Sequence, residues 1–307
     1  MQLRHLRYFV KIVDAGSISR AAATIHVAQP ALSQQIAELE EKLGIELLQR
    51  SARGVRPTKA GEALYREATS ILKQVENLPS IIRSSGGQIE GVVSVGMSST
   101  LATLFASPLI EASRQALPNV TLRLSVADSQ SVKMKVQANT LDMAVVFEDE
   151  HVPIFARKPL FRQRLYLVSR KPLSKTAATI SFAELGKLPL ILPSLENVTR
   201  MVLDRAFGDA GISPNIVTEA DVWSSVLAAV RTGIGHTVLP AGNLSDLGEK
   251  GLALLLLIEP PLLLTASIIS SSDFPLTLAG DAVRSLLVDL TKSHLEALRK
   301  PGVEWIG

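Results

Sequence analysis

Cysteine is absent from the 307 residues of this chain, and histidine is scarce. The lack of cysteine excludes structural disulfides, cysteine-based zinc sites and thiol redox sensing. None of the histidines has a metal-ligand neighbour at helical spacing; they are His5, His26, His151, His236 and His294. We therefore expect no metal and no cofactor, and only a histidine and carboxylate site assembled by the fold is left open.

Long hydrophobic segments are also missing. The longest apolar runs cover residues 252–258 and 262–269, are separated by Pro260 and Pro261, and are each too short to span a bilayer. No apolar stretch of signal-peptide length follows residues 1–5. We expect a cytoplasmic protein with no membrane partner.

The sequence contains no recognisable catalytic motif. There is no Gly-x-Ser-x-Gly turn, no phosphate-binding Walker loop, no Gly-x-Gly-x-x-Gly after a strand and no metal-binding motif. The Gly-Ile-Gly at residues 233–235 precedes an apolar strand pattern, so it does not fit a dinucleotide loop. We assign no catalytic residue, and measured turnover of a metabolite would be needed to reopen an enzymatic interpretation.

Positive charge is concentrated at the N-terminal end. Residues 1–60 carry nine Lys and Arg against five Asp and Glu, whereas residues 61–307 carry 23 against 24. A nucleic-acid surface is expected where the positive excess lies. Charge alone does not separate that interpretation from an ordinary solvated face.

Three helices are predicted in the first 44 residues, over 3–14, 18–25 and 29–43, from apolar residues at helical spacing. The second is short and alanine-rich, and a three-residue break separates it from the third, as in a helix-turn-helix. Ser17 is a good N-cap for the second helix, and Pro30 suits the first turn of the third. The polar face of the third helix carries Gln29, Ser33 and Gln34, which either hydrogen-bond base edges or are simply solvated.

The next segment favours DNA. Residues 45–50 and 55–58 are predicted to be strands joined by a turn at 51–54, and Arg50, Arg53 and Arg56 lie around that turn. A β-wing with cations at its tip is suited to holding phosphates or entering a narrow minor groove.

A long helix is predicted from residue 59 to residue 84, with Thr58 as its cap and Pro79 expected to kink or end it late. Its apolar residues follow a heptad spacing that indicates either pairing with a second copy or packing onto the chain's own core. We assign this seam to dimerisation through Leu64, Ala68, Ile71, Val75, Leu78 and Ile82.

From residue 91 onward, apolar strand patterns alternate with helical ones, which predicts an α/β domain with a largely parallel sheet. The predicted fold class is α/β: a winged helix-turn-helix at 1–58, a linker and dimerisation helix at 59–87, and a domain at 88–307 that resembles periplasmic binding proteins. That domain would comprise subdomain I, residues 88–162 and 267–307, and subdomain II, residues 163–266, with a cleft between them.

Hydroxyl side chains cluster where predicted strands end and helices begin, which is where ligands bind in open α/β sheets. Each of these hydroxyls could equally be a helix cap. We assign effector binding to Ser98, Ser99, Thr100, Ser129, Phe147, Pro193 and Ser194. Because no Arg or Lys follows these strand ends closely, we expect a neutral or weakly anionic effector.

The whole chain resembles the LysR-type transcriptional regulators of bacteria. The resemblance is carried most strongly by the run from Gln29 to Ile36 (Gln-Pro-Ala-Leu-Ser-Gln-Gln-Ile), by Gly16-Ser17 before it and by Leu47-Leu48-x-Arg50 and Pro57-Thr58 after it. The Gly-x-Gly strand turn at 233–235 matches more weakly. Within the family, the helix openings are similar to those of nitrogen-assimilation-control regulators.

The resemblance implies a regulator that dimerises through its linker helix, pairs into a homotetramer, binds interrupted inverted repeats in promoter DNA and responds to a small molecule in the cleft. RNA polymerase at the promoter is a further expected partner. It also implies base-reading roles for Gln29, Pro30, Ser33 and Gln34, with Pro30 limited to apolar contact such as a thymine methyl, and a wing contact to the minor groove or phosphate for Arg53. We assign Ser17 and Arg50 to DNA binding as well.

Two alternatives remain open besides an enzyme. A solute-binding protein would share the C-terminal pattern but not a basic N-terminal domain. A nucleoid-type DNA binder would bind unrelated DNA as tightly as its own promoter region. Neither the choice between dimer and tetramer nor the direction of regulation follows from the residues.

Overall fold

The structure, a computed structural model, describes residues 1–51, 54–84, 89–148, 154–170, 178–240, 253–298 and 302–307. It divides into two compact units. One comprises Met1–Gln88 with Ala138–Thr140, and the other comprises Ile89–Gln137 with Leu141–Gly307. The finer division into a separate linker and two subdomains stays a prediction.

The N-terminal unit has the helix-turn-helix and wing that the sequence predicts. Gly44, with φ of +67°, adopts the left-handed conformation that ends the third helix. His26, with φ of +55°, is also left-handed and lies in the turn between the second and third helices. The elements are α1 (Leu3–Ala15), α2 (Ile18–Thr24), α3 (Gln29–Leu43), β1 (Leu48–Ser51), β2 (Gly54–Pro57) and α4 (Lys59–Ser84).

A small apolar core holds the first three helices together. Phe9 and Ile12 of α1 meet Leu32 of α3, and all three are fully buried. The alanines of α2 lie against them, where the absence of a larger side chain lets the helices approach closely; Ala21 and Ala22 are both buried. This packing leaves the opposite face of α3 to solvent.

The wing is anchored to the helices by backbone contacts. Oε1 of Glu40 on α3 accepts from the backbone N–H groups of Leu47 and Leu48, at 2.8 and 3.0 Å. On the other side, a Cβ built on Gly61 of α4 would lie 2.0 Å from the carbonyl oxygen of Leu47. Glycine is required at this position because the wing and α4 touch through their backbones.

The C-terminal unit alternates strands and helices. Its helices are α5 (Ser99–Ala116), α6 (Ser129–Gln137), α7 (Phe182–Leu185), α8 (Val198–Asp209), α9 (Trp223–Thr232) and α10 (Leu278–Leu298). Its strands are β3 (Gly91–Ser98), β4 (Val120–Ala127), β5 (Met143–Glu148), β6 (Phe155–Ser169), β7 (Thr179–Ser181), β8 (Leu190–Leu192), β9 (Ile216–Glu219), β10 (Thr237–Pro240), β11 (Ala253–Glu259), β12 (Leu263–Ser271) and β13 (Val303–Trp305).

The main sheet is mixed, so the prediction of a largely parallel sheet is wrong. Its principal order is β4-β3-β5-β12-β6-β11-β7, with β10 and β13 also paired to β6. Strand β3 is parallel to β4 and β5, as the sequence predicts. However, β12 is antiparallel to both β5 and β6, and β6 is antiparallel to β10, β11 and β13. A separate parallel pair is formed by β8 and β9.

The antiparallel character comes mainly from β6, whose first ten residues carry no strand pattern in the sequence. Buried and exposed positions alternate irregularly there, charged residues recur, and Pro159 interrupts the run. Only the apolar end at residues 165–169 carries a clear strand pattern. Within the described parts of the chain, no helix combines the length and apolarity needed to cross a bilayer.

Candidate functional sites

The solvent-facing side of α3 carries the polar residues that the sequence singled out. Gln29, Pro30 and Gln34 are exposed, and Ser33 is half-buried. Gln29 Nε2 donates to Ser33 Oγ at 2.9 Å, and Gln34 Nε2 donates to Glu38 Oε1 at 3.0 Å. These bonds hold the side chains on one face while leaving further donors and acceptors for a partner.

The charge of α3 differs between its two halves. Its first half, from Gln29 to Gln35, has no acidic residue, whereas Glu38 and Glu41 are exposed on the second half. A phosphate backbone is repelled by the second half, so only the first half is suited to approach DNA closely.

Ser17 lies at the start of α2, where its Oγ accepts from the backbone N–H of Arg20 at 3.4 Å. The hydroxyl is half-buried and therefore serves first as the helix cap. Its O–H remains able to donate to a phosphate beside the helix.

The wing presents arginines on both strands. Arg50 of β1 and Arg56 of β2 are exposed, and the pairing of β1 with β2 is antiparallel, with Arg50 opposite Val55. Arg53, which we assign to the wing tip, lies outside the described residues. The wing therefore contributes cations to the compact unit that also contains the polar first half of α3.

The packing of α4 contradicts part of the predicted dimerisation surface. Ala68 is fully buried against Leu6 and Val10 of α1, and Leu64 is partly buried in the same cluster. The N-terminal half of the helix therefore packs onto its own chain, and Ala68 is not available to a partner. The helix runs from Lys59 to Ser84 as predicted, with Pro79 inside it, and a kink at the proline stays a prediction.

The second half of α4 has an exposed apolar surface instead. Ile71 is 38% exposed, Leu78 is 50% exposed and Ile82 is 70% exposed, and Val75 is half-buried. Ile81, which the heptad assignment did not include, is 49% exposed. Large apolar side chains this exposed along one helix face are typical of a protein interaction surface.

A polar contact fixes α4 on α1. Tyr65 Oη donates to Asp14 Oδ1 at 2.5 Å. Burial, followed by the hydrogen bond to Asp14, raises the pKa of Tyr65 to about 12, so the phenol keeps its proton. The orientation of the long helix is thereby tied to the first helix of the helix-turn-helix.

The C-terminal unit contains a cavity of about 300 Å³, which is enough for a small metabolite. All the residues that we assigned to effector binding line it, coming from the ends of β3, β5 and β8 and the starts of α5 and α6. They are Ser98, Ser99, Thr100, Ser129, Phe147, Pro193 and Ser194.

Two hydroxyl oxygens at this cavity are buried without a hydrogen-bond partner among the described residues. They are Oγ of Ser98, a residue only 7% exposed, and Oγ1 of Thr237, which is 1% exposed. Ser98 is the N-cap of α5 but makes no side-chain cap bond. Because buried hydroxyls are normally bonded, these two are available to bond a molecule held in the cavity.

Other lining residues were not assigned from the sequence. Thr199 is the second residue of α8, Asp221 follows β9 and Thr237 begins β10. Asp221 precedes α9, which begins at Trp223, and Asp221 Oδ1 accepts from Ser194 N and Oγ at 2.9 and 2.8 Å. Its place directly after a strand is the signal that could have identified it.

An arginine lies behind the cavity wall. Arg200 of α8 is buried, and its Nη1 donates to the Pro193 carbonyl at 3.0 Å and to Glu219 at 2.8 Å. Its Nε donates to both oxygens of Asp204. Burial opposes the charge, yet the bonds to Glu219 and Asp204 outweigh it and raise the pKa of Arg200. Arg200 thus positions Pro193 and has its charge neutralised by two carboxylates.

Comparison with known proteins identifies the family. The LysR substrate binding domain family matches residues 86–292, and the bacterial regulatory helix-turn-helix protein, lysR family, matches residues 3–62. The chain belongs to the LysR family. It is accordingly a DNA-binding transcriptional regulator with an effector-binding domain, and not an enzyme.

Relatives of this LysR regulator are similar over nearly their full length. The nitrogen assimilation regulatory protein nac of Klebsiella aerogenes is 35% identical over 94% of this chain and 95% of its own. The protein of the same name from Escherichia coli K12 is 32% identical over 98% of both chains.

Solved structures of the family share the fold. A full-length variant of OxyR from Pseudomonas aeruginosa superimposes with a TM-score of 0.74 at 22% identity, covering 95% of each chain. Full-length CbnR complexed with its target DNA superimposes with a TM-score of 0.66 at 23% identity, covering 96% of this chain and all of CbnR.

Proposed function

We propose that this LysR regulator reads promoter DNA with the first half of α3 and with the wing, and that a small molecule in the cavity of the C-terminal unit changes how it acts there. The DNA-reading set is Ser17, Gln29, Pro30, Ser33, Gln34, Arg50 and Arg53. The effector set is Ser98, Ser99, Thr100, Ser129, Phe147, Pro193 and Ser194.

The observation that carries the DNA half of the proposal is the exposed polar face of α3. The side-chain amides of Gln29 and Gln34 can each form two hydrogen bonds with one adenine. The hydroxyl of Ser33 can hydrogen-bond to bases without being restricted to one of them. Arg50 and Arg56 of the wing supply sequence-independent contacts to phosphates. Base reading and backbone binding are therefore divided between two elements.

The observation that carries the effector half is the cavity with its two unpartnered hydroxyl oxygens, on Ser98 and Thr237. The apolar exposure of α4 supports a homodimer through Ile71, Val75, Leu78 and Ile82, and the resemblance to the family supports a homotetramer. The same resemblance supports RNA polymerase as a contact at the promoter, a role in nitrogen assimilation and a place in the cytoplasm.

A binding titration tests the proposal. Fluorescence anisotropy would compare the DNA directly upstream of the protein's own gene with a scrambled duplex of equal length, at physiological salt. A specific regulator is expected to prefer the native segment by about 10³-fold or more. Equal, strongly salt-dependent binding to both would instead indicate an architectural role, as for a nucleoid-type binder, or an operator elsewhere.

Two variants separate base reading from backbone binding. Gln29→Ala is expected to relax base preference by about 1–3 kcal/mol at one position, while Arg53→Ala weakens binding to all sequences and flattens the salt dependence. Gln115→Ala, an exposed glutamine on α5, is the matched control and should change neither. Equal losses on every sequence for both variants would contradict the division of roles.

A further inference from the structure

The cavity carries several carboxylates and, among its described lining residues, no Lys, Arg or His. The acidic side chains are Asp128, Glu196 and Asp221. A site lined in this way disfavours a ligand with several negative charges, because like charges repel in a partly desolvated space.

Two of these carboxylates are fixed in place. Asp128 accepts from Ser131 N at 2.7 Å and also from Ser131 Oγ. Burial opposes its charge, but these bonds prevail and hold the pKa of Asp128 below its ordinary value. Asp221 uses only Oδ1 for Ser194, which leaves Oδ2 as an acceptor at the cavity.

Arg200, the arginine behind the cavity wall, has its charge compensated by other carboxylates. Arg200 is the buried arginine next to the lining residues Val198 and Thr199, and its guanidinium is already bound to Asp204 and Glu219. The carboxylates also do not form a metal centre, since no group of three His, Cys, Asp or Glu suited to a metal occurs in the described parts of the chain. A positively charged organic group is the complement that remains.

At the start of α5, by contrast, a negatively charged group is favoured. This helix has 18 residues, no acidic residue in its first turn and no side-chain cap from Ser98, so its first N–H groups, which have no partner within the helix, lie at the cavity. The buried, unpartnered Oγ of Ser98 adds a donor at the same place. One anionic group would satisfy both.

We propose that the cavity binds a small zwitterion of the amino-acid type, with a single carboxylate at Ser98 and the N-terminus of α5 and an ammonium group facing the carboxylates of Asp128, Glu196 and Asp221. Thr237 Oγ1, contributed by β10, completes the contacts to the polar part of the ligand. This inference rests on the proposed effector role of the cavity and names the chemistry of its occupant.

Calorimetric titration of the full-length protein provides the test. The probes are the twenty L-amino acids, the 2-oxo acids that lack the ammonium group and the amines that lack the carboxylate. At least one amino acid is expected to bind saturably, at least about tenfold tighter than its matched 2-oxo acid and its matched amine, since each lacks one charge-assisted contact.

Variants locate the two ends of the ligand. Ser98→Ala is expected to weaken amino-acid binding about tenfold, and Glu196→Gln about two- to fivefold because Glu196 is exposed to solvent. Glu196→Gln should also weaken binding of the matched amine and leave binding of the matched 2-oxo acid unchanged. Glu111→Gln, an exposed glutamate on the body of α5, is the control and should bind as the wild type does.

The outcomes distinguish this inference from the proposed function. A 2-oxo acid or other carboxylate that binds as tightly as any amino acid would overturn the zwitterion while leaving effector control intact, and so would a panel in which no amino acid binds. An amino acid that binds with the expected variant pattern, but leaves the DNA footprint and transcription unchanged, would support the zwitterion and contradict effector control.

Discussion

Removal of Arg157 should strongly destabilise the C-terminal unit. The Nε of Arg157 donates to Glu148 of β5, whose side chain is only 1% exposed. The same Nε donates to Ser267 Oγ of β12 at 3.2 Å, so Arg157 joins β6 to both of these strands. Arg157→Ala leaves the Glu148 carboxylate buried without its cation. We expect a loss of about 3–5 kcal/mol in the free energy of unfolding.

Urea unfolding followed by tryptophan fluorescence measures this loss selectively, because both tryptophans, Trp223 and Trp305, belong to the C-terminal unit. The matched control is Arg284→Ala, which removes an ion pair with Asp281 in which both side chains are at least 40% exposed. That change should cost less than about 1 kcal/mol. Similar losses for the two variants would show that burial of Glu148 does not decide the effect.

His236 gives the same unit a pH dependence. Its Nδ1 lies 2.7 Å from Ser169 Oγ, and burial lowers the pKa of His236 below its ordinary value of 6.5. Below about pH 6.5 the unfolded chain therefore binds a proton that the folded protein resists. Stability is fully present above that pH and is lost as the pH falls toward the folded pKa.

The measurement is the free energy of unfolding of wild type and His236→Gln between about pH 7.5 and pH 5.5, the range in which histidine titrates. The wild type should lose stability more steeply on acidification than the variant, because the glutamine does not titrate. The other histidines are common to both proteins and cancel in the difference. Parallel curves would exclude His236 as the source.

At the scale of elements, the position of the wing depends on its backbone contact with α4. A methyl group on Gly61 would collide with the Leu47 carbonyl, so Gly61→Ala has to displace the start of the wing. We expect a loss of about 1–3 kcal/mol from overpacking, measured by far-ultraviolet circular dichroism in urea, together with weaker DNA binding.

Gly208→Ala on α8 is the matched control, because a Cβ there meets nothing within 4 Å. It should be neutral or slightly stabilising, as alanine is favoured over glycine within a helix. If Gly61→Ala keeps both the stability and the DNA affinity of the wild type, the wing is not held through this contact.

The elements also show why some features could be predicted and others could not. The helices of the DNA-reading unit and the strand ends around the cavity have local signals: an N-cap at Ser17, a proline in the first turn of α3 and hydroxyls after apolar runs. Those signals sufficed to select seven residues that line one cavity, and their role in effector binding stays a prediction.

Features that depend on distant pairing were missed. The first half of β6 is held by β12, about one hundred residues away, with Arg157 opposite Ile269 in the register. Its own residues alternate poorly between apolar and polar, so no local period reveals it. For the same reason, the burial of Ala68 by α1 was not evident from a heptad pattern, which looks alike whether the partner is a second copy or the same chain.

At the scale of the whole molecule, the exposed apolar half of α4 bears on how DNA is bound. An inverted repeat presents two half-sites, so a dimer binds it with two reading heads and gains affinity from the second contact. Leu78, 50% exposed and within this half of α4, is a suitable residue to change. Leu78→Gln removes apolar contact area without adding charge.

We expect Leu78→Gln to shift the protein toward monomer in sedimentation velocity and to weaken binding to a DNA with both half-sites by about a hundredfold. Binding to a DNA with one half-site should stay unchanged, because the reading surface on α3 is intact. Glu76→Gln, at an exposed polar position two residues earlier, is the control and should leave both measurements as in the wild type. Equal loss on the one-site and two-site DNA would mean that α4 supports the fold of each head and does not join two of them.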